Sequence, residues 1–162
     1  MACSNHDDDL YMDMINELLL NAMVDVNVKK NTGHTALMAA SANGSLDLVW
    51  TLLEHVNINV TAQDAEGRTV LYRASQRDHW DVVEALISRD IDVNVQGPLG
   101  CTSLLWATVR GRLDVVSMLL EHDKVDANVK NKTGSTPLVI ARICELHDIE
   151  QLLKEHDNQQ KH

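Results

Sequence analysis

Four glycines recur along this chain at an almost constant interval, and that interval constrains the fold more than any other feature. The glycines are Gly33, Gly67, Gly100 and Gly134. Other identical residues recur with the same spacing: Thr35, Thr69, Thr102 and Thr136; Leu37, Leu71, Leu104 and Leu138; Ala40, Ala74, Ala107 and Ala141; Asp47, Asp81, Asp114 and Asp148. A period of roughly 33 residues indicates helical units stacked in a row. We therefore predict an extended array with a broad surface and no deep pocket.

Each unit is predicted to contain two short helices. Thr35 stands just before Leu37, as an N-cap residue stands before the first turn of a helix. Asp47 opens a second helix, where a carboxylate favours the positive end of the helix dipole. Apolar residues spaced one, four and five apart within 48–53 then form a single stripe on that helix. The predicted fold class is therefore all-α.

A tight turn is predicted between the two helices of each unit. Glycine occupies this turn in units 1 and 3, as Gly44 and Gly111, whereas Asp78 and Glu145 occupy it in units 2 and 4. Glycine adopts a positive φ without steric cost, and other residues do not. We therefore expect the turn to be less favourable in units 2 and 4.

The two ends of the array differ from its middle. Glu150 and Lys154 stand where the earlier units have apolar residues, which gives the last unit the polar outer face that an uncovered end requires. Residues 10–27 match the second half of a unit. The predicted organisation is a half-repeat cap with a disordered start at 1–24, repeats at 25–58, 59–91 and 92–125, a capping repeat at 126–156 and a disordered tail at 157–162.

Composition argues against two classes of partner. The formal net charge is −10, and the segment 1–27 contains no lysine or arginine, so long-range electrostatics repel nucleic acid and anionic lipid. No apolar run approaches the length of a membrane helix, and the amino terminus lacks the pattern of a secretory signal. We expect neither a nucleic-acid partner nor a membrane.

The cysteines and short motifs give no sign of catalysis. Cys3, Cys101 and Cys144 are odd in number and far apart, as reduced thiols of cytoplasmic or nuclear proteins often are. We expect Cys101 to be exposed. Cys144 and His147 can share a helix face, but two ligands do not make a zinc site. Phosphate-loop, nucleophile-elbow and H-E-x-x-H motifs are missing. We predict no enzyme activity, no cofactor and no metal.

These motifs resemble the ankyrin repeat, whose unit reads roughly G-x-T-P-L-H-x-A, a glycine turn, V-V-x-L-L and D-V-N. The segment T-P-L-V-I-A at 136–141 is the best match to the first block, and D-V-N stands at 25–27 and 92–94. The resemblance covers about residues 18–156. The family's histidine is replaced in every unit, by Met38, Tyr72, Leu105 and Val139.

The resemblance implies a solenoid of stacked helix-turn-helix units with short β-turn fingers. It also implies a protein-binding scaffold whose fingers and first helices form a concave recognition face. Carried onto this sequence, the facing positions of the first helices are Ala42 and Asn43, Gln76 and Arg77, Val109 and Arg110, and Ile143 and Cys144.

Two features of that face are candidates for partner binding. Arg77 and Arg110 occupy equivalent positions in adjacent units, and paired guanidiniums suit a carboxylate or phosphate. The alternative is that these arginines are solvated or bridge nearby acids. The third finger, at 97–101, is apolar and can form a contact patch with Trp106. The alternative is that it packs locally onto its neighbours. The predicted partner-binding residues are Arg68, Arg77, Pro98, Leu99, Cys101, Trp106, Val109 and Arg110.

The resemblance also implies a modification. Asn27, Asn94 and Asn128 fill the position that asparagine hydroxylation uses in some ankyrin proteins, and the alternative is a purely structural asparagine of the loop. The predicted function is a monomeric, non-enzymatic adaptor or inhibitor that binds a protein or peptide, with an acidic or phosphorylated segment as one form of partner. Two other origins stay open: a repeat domain of a larger protein, and an engineered repeat protein.

Overall fold

The computed structural model describes residues 25–31, 33–89 and 91–160. These residues form eight helices: α1 (Ala36–Asn43), α2 (Leu46–Glu54), α3 (Val70–Gln76), α4 (Trp80–Ile87), α5 (Ser103–Val109), α6 (Leu113–Leu120), α7 (Pro137–Ile143) and α8 (His147–Gln159). The predicted all-α array of helix pairs is confirmed. The cap predicted at 1–24 lies outside the described residues.

The repeated threonines cap the first helix of every unit, as predicted. Thr35 Oγ1 accepts a hydrogen bond of 3.3 Å from the amide of Met38, and the other three threonines make the equivalent bond. The second helices begin without a side-chain cap, but each has an aspartate in its first turn. Their amino termini are therefore stabilised by the dipole interaction of a nearby carboxylate.

The turn between the helices has a positive φ in all four units. Gly44 and Gly111 adopt φ values of 71° and 65°, and Asp78 and Glu145 adopt 64° and 56°. The last two are the only non-glycine residues with positive φ among the residues that the structure describes. Their Cβ atoms cause steric strain that glycine avoids, as the sequence predicted.

The units stack in two layers, an inner layer of first helices and an outer layer of second helices. Helices α1, α3, α5 and α7 pack against one another in chain order, and in the outer layer α2 packs on α4 and α6 on α8. The core between the layers is aliphatic, with Leu37, Val83, Leu104 and Leu119 each fully or almost fully buried. The two helices of each unit thus bury their apolar sides against each other and against the helices of the neighbouring units.

The last unit has the polar outer side that was expected of an end repeat. Glu150 accepts a hydrogen bond of 2.9 Å from Arg142 Nε and lies 2.7 Å from Lys154 Nζ. Helix α8 continues to Gln159, so residues 157–159 of the tail predicted to be disordered at 157–162 are helical instead. The reason is that Asp157 and its neighbours form a further turn of an already nucleated helix, which costs little entropy.

We expect the substitution Glu145→Gly to raise the free energy of unfolding by about 1 kcal/mol, since it removes a Cβ from a left-handed backbone. Gly111→Ala, the matched change in the preceding unit, should lower it by a similar amount. Urea denaturation followed by circular dichroism measures both. A stability unchanged or lowered by Glu145→Gly would contradict the assignment of strain to this turn.

Candidate functional site

Each unit begins with a tight hairpin, and we call the four hairpins finger 1 (30–34), finger 2 (64–68), finger 3 (97–101) and finger 4 (131–135). In each, the first residue donates a backbone hydrogen bond to the carbonyl of the last, over 2.9 to 3.2 Å. The glycine before the last residue adopts a φ between 72° and 80°. The fingers and the exposed sides of α1, α3, α5 and α7 form one surface, which we call the finger face.

Finger 2 contains a buried ionic cluster centred on Asp64. The side chain of Asp64 is fully buried, and its Oδ2 lies 2.8 Å from Arg68 Nε and 2.5 Å from an Arg73 guanidinium nitrogen. Oδ1 accepts hydrogen bonds from the amides of Glu66 and Arg68. His34 of finger 1 also contacts this cluster, with its Nε2 3.4 Å from Asp64 Oδ2 and beside Arg73. The cluster therefore ties the first two fingers together.

The electrostatics of this cluster favour the ionised carboxylate. Burial raises the pKa of Asp64, but hydrogen bonds from Arg68, Arg73 and two backbone amides outweigh burial and hold that pKa well below its usual value. His34, Asp64 and Glu66 have ligand atoms within 4.8 Å of one another. Because Asp64 Oδ2 already binds two guanidiniums, the arrangement fits an internal ion-pair network better than a metal site.

Arg68 was predicted to contact a partner, and the structure places it in this network. Its guanidinium bonds to both Asp64 and Glu66, and its side chain is 22% exposed. Sequence reasoning missed the pairing of Asp64 with Arg73. A signal was present, because Arg73 stands on the inner helix where the other units have Ala39, Trp106 and Ile140.

The two arginines expected to lie side by side have different surroundings. Arg110 forms an ion pair of 3.0 Å with Asp78 and lies 5.8 Å from the centre of the Trp106 ring. This is the bridging alternative that the sequence left open. Arg77 is exposed, and its guanidinium donates a 3.4 Å hydrogen bond to the carbonyl of Ala42.

An apolar patch lies at finger 3 and the inner helices beside it. Leu99 is 55% exposed and Val109 is 45% exposed, whereas Pro98 and Trp106 are half-buried. The patch extends onto the last unit through Ile143, which is 73% exposed. We call these side chains, together with the exposed Val139, the apolar half of the finger face.

Cys101 does not belong to the exposed surface, and the expectation of exposure is wrong. It is 8% exposed because finger 3 lies against finger 4, where the amide of Lys132 donates a 3.1 Å hydrogen bond to the carbonyl of Leu99. Burial raises the pKa of the Cys101 thiol. A protonated, buried thiol is a poor nucleophile.

Tyr72 supports finger 3 from beneath. Its ring is buried, meets Trp106 edge-on at 6.4 Å between ring centres, and fills the space that a Cβ at Gly97 would need. Tyr72 is one of the residues that replace the histidine expected at this position. The exposed patch on finger 3 therefore rests on an aromatic contact specific to this joint.

The three candidate asparagines for hydroxylation are not equivalent. The side chains of Asn27 and Asn94 each make two backbone hydrogen bonds, one of 2.7 Å to the end of their own repeat and one of 2.8 Å to the first residue of the following repeat. Asn128 is exposed and its side chain makes a single long contact, 3.3 Å to Asp157 Oδ1. Asn27 and Asn94 thus have the structural role that the sequence left as an alternative.

Comparison with known proteins gives consistent results. A family model described as ankyrin repeats (3 copies) matches residues 1–97 and 90–162. The chain is 38% identical over 84 residues to alpha-latrocrustotoxin-Lt1a of Latrodectus tredecimguttatus, covering 52% of this chain and 6% of the toxin. It is 31% identical over 104 residues to neurogenic locus notch homolog protein 1 of Xenopus laevis, covering 64% of this chain and 4% of that protein.

Among solved structures, an ankyrin repeat domain from Acinetobacter baumannii AYE is similar, with a TM-score of 0.82 and 30% identity over 93% of this chain and 78% of that one. By contrast, the chain spans only 6% of the toxin and 4% of the Notch protein. Within the described residues, no helix combines the length and the apolar composition that crossing a bilayer demands.

We expect Asp64→Asn to lower the free energy of unfolding at pH 7 by about 3 to 5 kcal/mol, because it leaves Arg73 buried without a counter-charge. This stabilisation should be fully present above the usual carboxyl pKa and should be lost progressively as the pH falls from there toward the lower pKa of Asp64 in the folded protein. Urea titrations across acidic and neutral pH test this.

The matched control is Asp114→Asn, which breaks an exposed pair with Arg112 and should have a much smaller effect. Equal effects of the two substitutions, or an Asp64→Asn effect that does not shrink in acid, would contradict the role assigned to the cluster.

Proposed function

Because the chain belongs to the ankyrin repeat family, a general protein-interaction module, we propose that it is a non-enzymatic scaffold that binds another protein on its finger face. The observation that carries this proposal is the exposure of Leu99, Val109 and Ile143 on a single surface. Exposed apolar side chains grouped in this way are typical of protein contact sites. Their neighbour Trp106 is half-buried and packs edge-on against Tyr72, so it offers an aromatic surface to a partner.

The charge distribution suggests the chemistry of the partner. The outer helices present exposed acids to solvent: Asp47, Glu54, Asp81, Glu84, Asp114 and Glu121. We call fingers 1 and 2, with the exposed sides of α1 and α3, the polar half of the finger face. The face presents Arg77 at the junction of its polar and apolar halves, and Arg110 one unit further on. We propose a partner segment that places an apolar side chain against finger 3 and an acidic or phosphorylated residue near Arg77.

We propose that the scaffold acts as an adaptor or an inhibitor of its partner. A second candidate function is that of a recognition domain within a larger protein. The small fraction of the toxin and Notch chains that this sequence covers favours that candidate. The unpaired thiols of Cys101 and Cys144 suit a reducing compartment, so we place the protein in the cytoplasm or nucleus.

Of the three asparagines, we propose Asn128 as the site of hydroxylation. Its side chain contacts Asp157 Oδ1 at 3.3 Å, whereas those of Asn27 and Asn94 are hydrogen-bonded to the backbone. Intact-mass measurement of natively expressed protein should show a subpopulation heavier by one oxygen, and Asn128→Ala should remove it. A single unmodified mass, or an added oxygen that persists in Asn128→Ala, would contradict assignment to Asn128.

The binding proposal is tested with two exposed valines, one on the finger face and one outside it. We expect Val109→Glu to reduce capture of the partner at least tenfold, because it puts a charge in the apolar half of the finger face. Val56→Glu is the matched control, since Val56 is 87% exposed in the loop after α2. Quantitative pulldown of one identified partner measures both, with circular dichroism as the check on folding.

The arginine contribution is tested in the same assay. The double substitution Arg77→Glu and Arg110→Glu should weaken capture of an acidic partner while preserving helicity. Capture that is insensitive to both Val109→Glu and the double arginine variant would place the partner elsewhere on the molecule.

A further inference from the structure

The array has a second, longer period that joins the repeats in pairs. Repeats 1 and 3 share D-V-N-V at 25–28 and 92–95, and they share L-L-E-H at 52–55 and 119–122. Both also have glycine in the turn between helices, where repeats 2 and 4 have the strained Asp78 and Glu145. These features alternate between two types of repeat, whereas the asparagine of the D-V-N-V segment also stands in repeat 4, as Asn128.

The alternation places an asparagine clamp at every second joint. Asn27 Nδ2 donates to the carbonyl of Asn57 over 2.7 Å, and its Oδ1 accepts from the amide of Asn59 over 2.8 Å. Asn94 makes the same two bonds, to the carbonyl of Lys124 and the amide of Asp126. One clamp joins repeat 1 to repeat 2, and the other joins repeat 3 to repeat 4.

The fingers follow the same alternation. A Cβ on Gly33 would lie 2.7 Å from the amide nitrogen of Ala65, and one on Gly100 would lie 2.8 Å from that of Lys132. A Cβ on Gly67 would meet nothing within 4 Å. Fingers 1 and 2 are therefore in close contact, fingers 3 and 4 are in close contact, and the tip of finger 2 stands clear of finger 3.

The joint between repeats 2 and 3 lacks the asparagine clamp. Thr61 occupies the clamp position, and its hydroxyl donates to Asn59 Oδ1 over 2.9 Å, within its own turn. A groove of about 310 Å³ lies beside it, lined in part by Val60, Ile91 and Val95.

Repeats 2 and 3 are joined mainly on the side of the inner helices. Helix α3 packs on α5, and the Tyr72 ring meets that of Trp106. Among the described residues, polar links between these repeats include the exposed Arg110–Asp78 pair and the stacking of Arg112 on Trp80. Exposed links of this kind contribute little to stability.

We propose that repeats 1–2 and repeats 3–4 are two cooperative units, and that the joint between them is a hinge. The hinge opens on the side of the loops and outer helices, about the Tyr72–Trp106 contact. In a stacked array the weakest interface sets where cooperativity breaks, so this joint separates first. The motion changes the angle between the polar half of the finger face on repeats 1–2 and the apolar half on repeats 3–4. This inference goes beyond the proposed function and does not depend on it.

Amide hydrogen exchange read by mass spectrometry, on the whole chain at a series of low urea concentrations, tests the proposal. The wild type should show α1–α4 and α5–α8 as two units with different protection. Thr61→Asn, which supplies the missing clamp, should slow exchange in the less protected unit about tenfold. The protection of the two units should then become similar. A single unit spanning all eight helices in the wild type would overturn the proposal, as would exchange unaffected by Thr61→Asn.

The converse variant gives an independent reading. Asn94→Thr gives joint 3–4 the residue found at joint 2–3, and it should speed exchange in α7 and α8 about tenfold while leaving α1–α4 unchanged. Circular dichroism confirms that both variants keep native helicity. Acceleration spread evenly over all four repeats would show that the clamp does not act at one joint, and would overturn the proposal.

Discussion

Short helices must be covered by neighbours to be stable, and the whole structure depends on that constraint. Most helices here have seven to nine residues, too few to be stable alone in water. Each pair gains stability only by burying its apolar stripe, and residues such as Val83 and Val116 are inaccessible because adjacent units cover them. The same arrangement leaves the fingers and one side of the inner helices uncovered, which creates the continuous surface available for another protein.

Much of the fold could be predicted from sequence because it is set by local backbone chemistry. The Thr35 cap and the finger glycines follow from residue type and position within one unit, and the positive φ of Asp78 follows from its position alone. The contacts between units could not be predicted in this way. The contact of His34 with Asp64 and the burial of Cys101 depend on how a finger sits relative to the neighbouring finger, which periodicity does not specify.

The finger face has two halves with different chemistry. In repeats 1 and 2 it rests on an ionic network whose charges are neutralised internally around Asp64. In repeats 3 and 4 it presents Leu99, Val109 and Ile143, supported by the aromatic contact between Tyr72 and Trp106. A partner that spans the joint therefore meets a polar surface on one side and an apolar surface on the other. This asymmetry gives the face a direction, which a uniform array would lack.

Small-angle X-ray scattering of the free protein tests most directly whether burial occurs only between neighbouring units. The account predicts the profile of an elongated particle, with a maximum dimension clearly larger than that of a sphere of 18.1 kDa and a good fit to the stacked helices of residues 25–160. A profile that matches a compact sphere would mean that distant repeats pack on one another and close the open face, and would contradict the account.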